Sequence, residues 1–143
     1  VNEKELLQLV NEFYGSSLIK CEDQFSRWDA DDEQHVVELK CRETHYDTQI
    51  IEYIKYDAVM QEANKSERVA LYIASTPEEI LVFDLTQLEK EGYELEWESK
   101  WLPATTAFAN KDWIVKQVSY IENEKAKWRL NYESTYRLGQ SDI

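Results

Sequence analysis

The chain opens on a helical pattern. Over residues 3–14, Leu6, Leu7, Val10, Phe13 and Tyr14 recur at three- and four-residue spacing among Glu, Lys, Gln and Asn, and Gly15 supplies a stop. Shorter apolar stretches follow at 17–21, 23–29 and 35–42, the last two separated by Asp31-Asp32-Glu33. They read as three strands, with a hairpin across that polar turn. Residues 47–66 read as a long helix, with Asp47 or Thr48 near its cap and Lys65 in its last turn. Two more apolar strands are predicted at 68–75 and 79–85, on either side of Thr76-Pro77. A short helical piece over 86–92 opens on Thr86 and closes on Gly92. Over 93–101, Tyr93, Leu95, Trp97, Ser99 and Trp101 alternate with Glu94, Glu96, Glu98 and Lys100, which predicts a strand with one aromatic and one charged face. Residues 112–121 read as another strand, and 122–137 show no clear period. The order helix, three strands, helix, two strands predicts one α+β domain. Its core covers about 3–85, with an elaboration over about 86–143.

Bulk composition agrees. A chain of 143 residues is the length of one domain, and a 43% hydrophobic content supports a core without disulfide staples. With only two Pro and three Gly, linkers and low-complexity segments are excluded. No apolar run reaches the ~18 residues of a membrane span. The stretch from Val1 to Glu12 is acidic and amphipathic, unlike a signal peptide. Cys21 and Cys41 fall in predicted strands and read as two reduced, buried thiols, in keeping with a cytoplasmic protein.

The net charge of −13 weighs against nucleic-acid binding, which ordinarily needs a basic footprint. The charge is uneven, however. Residues 111–137 set Lys111, Lys116, Lys125, Lys127, Arg129 and Arg137 against Asp112, Glu122, Glu124 and Glu133, a net of +2. Trp113, Tyr120, Trp128, Tyr132 and Tyr136 interleave with those cations, as a binder of flexible nucleic acid would arrange stacking and charge.

The candidate chemistry lies in the predicted hairpin. Along strand 35–42, Glu38 and Lys40 share a face with Val36 and Arg42, while Val37, Leu39 and Cys41 face the other way. The hairpin brings Asp29 toward Glu38. Two converging carboxylates suit Mg²⁺ or Mn²⁺, hard cations that take oxygen ligands. A neighbouring Lys40 would orient the attacking water or neutralise developing negative charge. Glu-x-Lys is not informative by itself, because Glu98-Ser99-Lys100 repeats the spacing within a run of four charges that reads as a solvated strand face. Asp31 and Asp32 sit where the hairpin needs turn residues. There is no zinc spacing, phosphate-binding Gly loop or nucleophile elbow.

Asp29 followed by Glu38-Leu39-Lys40 resembles the PD-(D/E)XK nuclease superfamily. Gln49 and Tyr53, on the helix expected next, match the Gln-x-x-x-Tyr of its RecB-like and phage exonuclease branches. Arg27-Trp28-Asp29-Ala30 and Glu52…Lys55-Tyr56-Asp57 also look like small phage-encoded members. The resemblance implies a restriction-endonuclease-like core of helix, three-stranded meander, helix and strand, here with additional C-terminal strands. It implies a Mg²⁺-dependent deoxyribonuclease whose metal is held by Asp29 and Glu38, with Lys40, Gln49 and Tyr53 completing the catalytic set. Glu12, from the first helix, is the candidate further metal ligand. Arg42, Lys111, Lys116, Lys125, Lys127 and Arg129 are the candidate DNA contacts. Such nucleases often dimerise to cut two strands, so a homodimer is an expected assembly. The acidity leaves a second reading open: a catalytically silent protein on the same scaffold that binds and inhibits a basic, nucleic-acid-binding partner protein.

Overall fold

A computed structural model describes residues 1–23, 25–104 and 112–133. Helix α1 (Glu3–Phe13) is capped by Asn2, whose side chain accepts from the Glu5 amide, and the chain leaves it through Gly15 at φ +92. Strands β1 (Ile19–Lys20), β2 (Ala30–Asp31) and β3 (His35–Cys41) follow. Strand β4 (Thr48–Glu52) leads directly into helix α2 (Tyr53–Ser66). Strands β5 (Val69–Ser75) and β6 (Glu79–Asp84) precede helix α3 (Leu85–Lys90), which is capped by Asp84. Strands β7 (Glu98–Pro103), β8 (Trp113–Glu122) and β9 (Trp128–Asn131) complete the described chain.

Six strands form a mixed sheet in the order β1-β2-β3-β5-β6-β9. Only β3 and β5 run parallel, and α2 forms part of the crossover between them. The second sheet is antiparallel, β4-β8-β7. Side-chain alternation along β3 sorts the core into two clusters. Val37 and Leu39 pack with Leu6, Leu7 and Val10 of α1. Val36, on the opposite face, packs with Val59, Met60 and Ala63 of α2 and with Ile121 of β8. Burying an aliphatic side chain of this size contributes ~1.5–3 kcal/mol, so the two layers hold β3 firmly from both sides.

Several expectations change. Residues 47–66 are not one helix, because 48–52 form β4. Thr48, Ile50 and Ile51 are β-branched, and burial along β4 alternates, with Gln49 and Ile51 inside. Antiparallel pairing with β8, Ile50 opposite Tyr120, settles the conformation. The expected strand over 23–29 is mostly a loop, since Asp23 accepts from the Phe25 amide and Ser26 caps the backbone of Trp28. The hairpin strand is the two-residue β2 just beyond it. Asp32 does serve the turn, accepting from the Gln34 and His35 amides, whereas Asp31 lies in β2 and pairs with Arg68 at 3.1 Å. Finally, Tyr93, Leu95 and Trp97 pack against the core as their alternation requires, but the ladder-forming strand begins only at Glu98. Cys21 and Cys41 are free thiols, each half-buried rather than buried. Among the described residues, no helix is long and apolar enough to cross a membrane.

Candidate active site

The site is built on the α2-facing side of β3. Asp29 lies just before β2, where its amide donates to the Val37 carbonyl and its Oδ2 accepts from the Leu39 amide at 2.9 Å. These bonds fasten Asp29 across β3 and bring it within hydrogen-bond reach of Glu38. Glu38 is only 5% exposed, and its Oε2 has no hydrogen-bond partner. Burial pushes its carboxyl up to about 9, the adjacent Asp29 adds to the rise, and Lys55 and Lys40 oppose it.

Glu38 opens on a cleft of about 140 Å³. Lys40 and Arg42 continue the β3 wall, and Ile50, Ile51 and Glu52 come from β4. Lys55 enters from the first turn of α2, Tyr72 from β5, Leu102 and Pro103 from β7, and Lys116 from β8. Arg42 donates to the Ile50 carbonyl at 2.9 Å and to the Tyr72 hydroxyl at 3.2 Å, while that hydroxyl donates to the same carbonyl at 2.7 Å. Lys116 pairs with Glu52 at 2.8 Å. A chain of net charge −13 therefore gathers four cations around one buried carboxylate.

The structure thus brings together Asp29, Glu38, Lys40, Arg42 and Lys116. It separates the other candidates. Gln49 lies on β4, buried, where its amide donates to the Tyr46 carbonyl and to Asn123 Oδ1. Tyr53 opens α2, is 44% exposed, and meets Trp97 edge-on at 5.1 Å. The two residues share no helix face, so the arrangement expected of Gln-x-x-x-Tyr is absent. Glu12 is exposed on α1, which packs against the opposite face of β3. Among the described residues, no group of three or more His, Cys, Asp or Glu is placed to hold a metal.

The anticipated basic segment disperses as well. Arg129 makes two 2.7 Å bonds to Glu79, Lys127 lies 3.5 Å from Asp84, and Lys125 sits over the Tyr93 ring. Strand β9 pairs with β6 at the far edge of the large sheet, which directs these cations away from Glu38. Trp128 packs on Tyr14. Lys111, Tyr136 and Arg137 lie outside the described residues. Glu98 and Lys100 belong to an exposed strand, and Lys100 bonds the Tyr120 hydroxyl.

Sequence reasoning did not single out Lys55, Glu52 or Tyr72 as lining residues. Their convergence depends on how β4, α2 and β5 pack. A partial signal existed for Lys55, three residues after Glu52 at the start of a helix.

A donor set of two carboxylates, one with an unpartnered buried oxygen, fits a divalent cation that keeps several waters. It would be held by Asp29 and Glu38.

No family model and no curated protein matches the sequence. Among solved structures, the 1.6 Å structure of Hjc, a Holliday junction resolvase from the archaeal hyperthermophile Archaeoglobus fulgidus, is similar with a TM-score of 0.50. The likeness covers 87% of this chain and 93% of that one, at 15% sequence identity. The fold is therefore α+β, of the restriction-endonuclease-like type, and similar to that of a junction resolvase.

Proposed function

We propose that this protein is a divalent-metal-dependent nuclease that hydrolyses phosphodiester bonds in DNA. The observation that carries the reading is Glu38, next to Asp29 and opening on a cation-lined cleft, with its Oε2 buried and unpartnered. When bound, Mg²⁺ or Mn²⁺ would offset the paired carboxylates and polarise a phosphoryl oxygen. Lys40 lies beyond Glu38 on the same strand face and stabilises the negative charge that grows on the phosphate as water attacks. The water oxygen bonds to phosphorus and gives up a proton to solvent, the bond from phosphorus to one sugar oxygen breaks, and that oxygen takes a proton from solvent. Arg42 is held by Ile50 and Tyr72, so it offers a fixed positive charge to the strand. Lys116 adds charge from β8, on the other wall of the cleft. The likeness to a junction resolvase adds four-way junctions to the substrates worth trying.

The test is a panel of single-stranded, duplex, flapped and four-way-junction DNA with Mg²⁺ or Mn²⁺. Cleavage abolished by chelator and by Glu38→Ala supports the reading. Cleavage that survives Glu38→Ala removes the proposed site, and a protein that cuts nothing with either metal removes the activity.

A further inference from the structure

The lysine of Glu-x-Lys, Lys40, shares the cleft of Glu38 with a second lysine, Lys55 of α2. Both line the same cleft as Glu38, one from the helix and one from the strand. The other two cations are committed, Arg42 to Ile50 and Tyr72, and Lys116 to Glu52. Among the described residues, Lys40 and Lys55 form no ion pair.

Lys55 would ordinarily have a partner. Glu52 precedes it by three residues at the start of α2, a spacing that favours pairing on a helix. Glu52 instead bonds Lys116 at 2.8 Å, so β8 draws the acid away and leaves the Lys55 ammonium to the cleft. Two cations without carboxylate partners, beside a carboxylate with an unpartnered oxygen, make a place for an anionic group that brings its own oxygens.

We propose that Lys55 is a second catalytic cation of this site, donating to a non-bridging oxygen of the scissile phosphodiester while Lys40 contacts the phosphate from β3. The role rests on the nuclease reading given above. As water adds, the phosphate passes from one negative charge toward two, and ammonium groups on either side of it favour that state over the ground state. Lys55 keeps its proton throughout, because it serves as charge and donor rather than as acid. Val59 and Ala63 of α2 share a buried cluster with Val36 of β3, which fixes the backbone positions from which the two lysines reach the cleft.

The test compares Lys55→Met, Lys55→Arg and a control on α3, Lys90→Met, after melting curves establish that all three are folded. Single-turnover cleavage at saturating DNA is expected to fall about 100-fold or more in Lys55→Met and to recover largely in Lys55→Arg. The control should match wild type. A second measurement needs no turnover: anisotropy of a labelled oligonucleotide in chelator, with every protein also carrying Glu38→Gln. There, Lys55→Met should lower the slope of log affinity against log salt by about one. If Lys55→Met cuts at the wild-type rate, or raises KM with kcat unchanged, the catalytic role is overturned and the nuclease reading stands. If wild type cuts no substrate, the reading and the role fall together.

Discussion

Glu38 lies within hydrogen-bond reach of Asp29, and burial together with that neighbour pushes the Glu38 carboxyl up to about 9. Without a cation, the folded protein therefore keeps a proton on this pair across neutral pH. Between about pH 4.5 and 9 the unfolded chain has released that proton, so metal-free stability falls as pH rises through the window. The relationship turns the candidate site into a measurable feature of the fold.

Glu38→Gln keeps the side-chain shape and removes the charge. Metal-free, the variant is expected to melt above wild type at the alkaline end of that window, the gap closing toward pH 4.5. Mg²⁺ should raise the melting temperature of wild type and leave the variant unmoved. Melting curves across pH, with and without metal, check both statements. A variant that is less stable than wild type at alkaline pH contradicts the proposed burial cost.

Asp29 has a structural duty besides its proposed chemistry. Its Oδ2 accepts from the Leu39 amide, a bond that Asn can keep and Ala cannot. Asp29→Ala should lose about 1–2 kcal/mol of stability, whereas Asp29→Asn should stay near wild type. Both should lose activity by a large factor. Denaturant titrations beside cleavage assays separate the two effects, and equal destabilisation by both variants would argue against the Leu39 bond as the anchor.

Gln49 is expected to matter for folding and not for turnover. Its amide ties β4 to the turn at Asn123, so Gln49→Ala leaves buried partners unmet at a cost of about 1–3 kcal/mol. The folded fraction should cut DNA at the wild-type rate. A stable but inactive Gln49→Ala would restore the catalytic role expected from Gln-x-x-x-Tyr.

The cations divide by location. Lys116→Ala removes a charge from the cleft and should weaken DNA binding, with a smaller salt slope. Lys127→Ala and Arg129→Ala should leave binding unchanged, because their charges are engaged at the far edge of the sheet. Arg129→Ala should instead cost about 1 kcal/mol, discounted for the exposure of the arginine, by stranding the carboxylate of Glu79. Anisotropy across a salt series and denaturant titration check the two halves.

Much of this fold was legible along the chain because its signals are local. The alternation of Val36, Val37, Glu38, Leu39 and Lys40 assigns faces whatever strand lies next to β3. The Asp32 turn and the caps at Asn2 and Asp84 follow from side chains bonding amides two or three residues away. Where an element depended on a distant partner, the local reading failed. Residues 48–52 could continue the helix until β8 pairs with them from 70 residues away. Gln49 then turns from a helix-face residue into a buried strap.

The site divides along the same line. Sequence alone determined the pairing of Asp29 with Glu38 and the position of Lys40, because one hairpin and one strand face suffice to place them. Only the tertiary structure decided which positive charges serve that carboxylate. Charge counted along the chain pointed to residues 111–137, yet Lys125, Lys127 and Arg129 are engaged at the β6–β9 edge, and Lys116 alone among the described cations of that segment reaches the cleft. Lys55 joins through the packing of α2 on β3. Electrostatic interaction depends on separation in space and on local burial, and neither is set by distance along the chain.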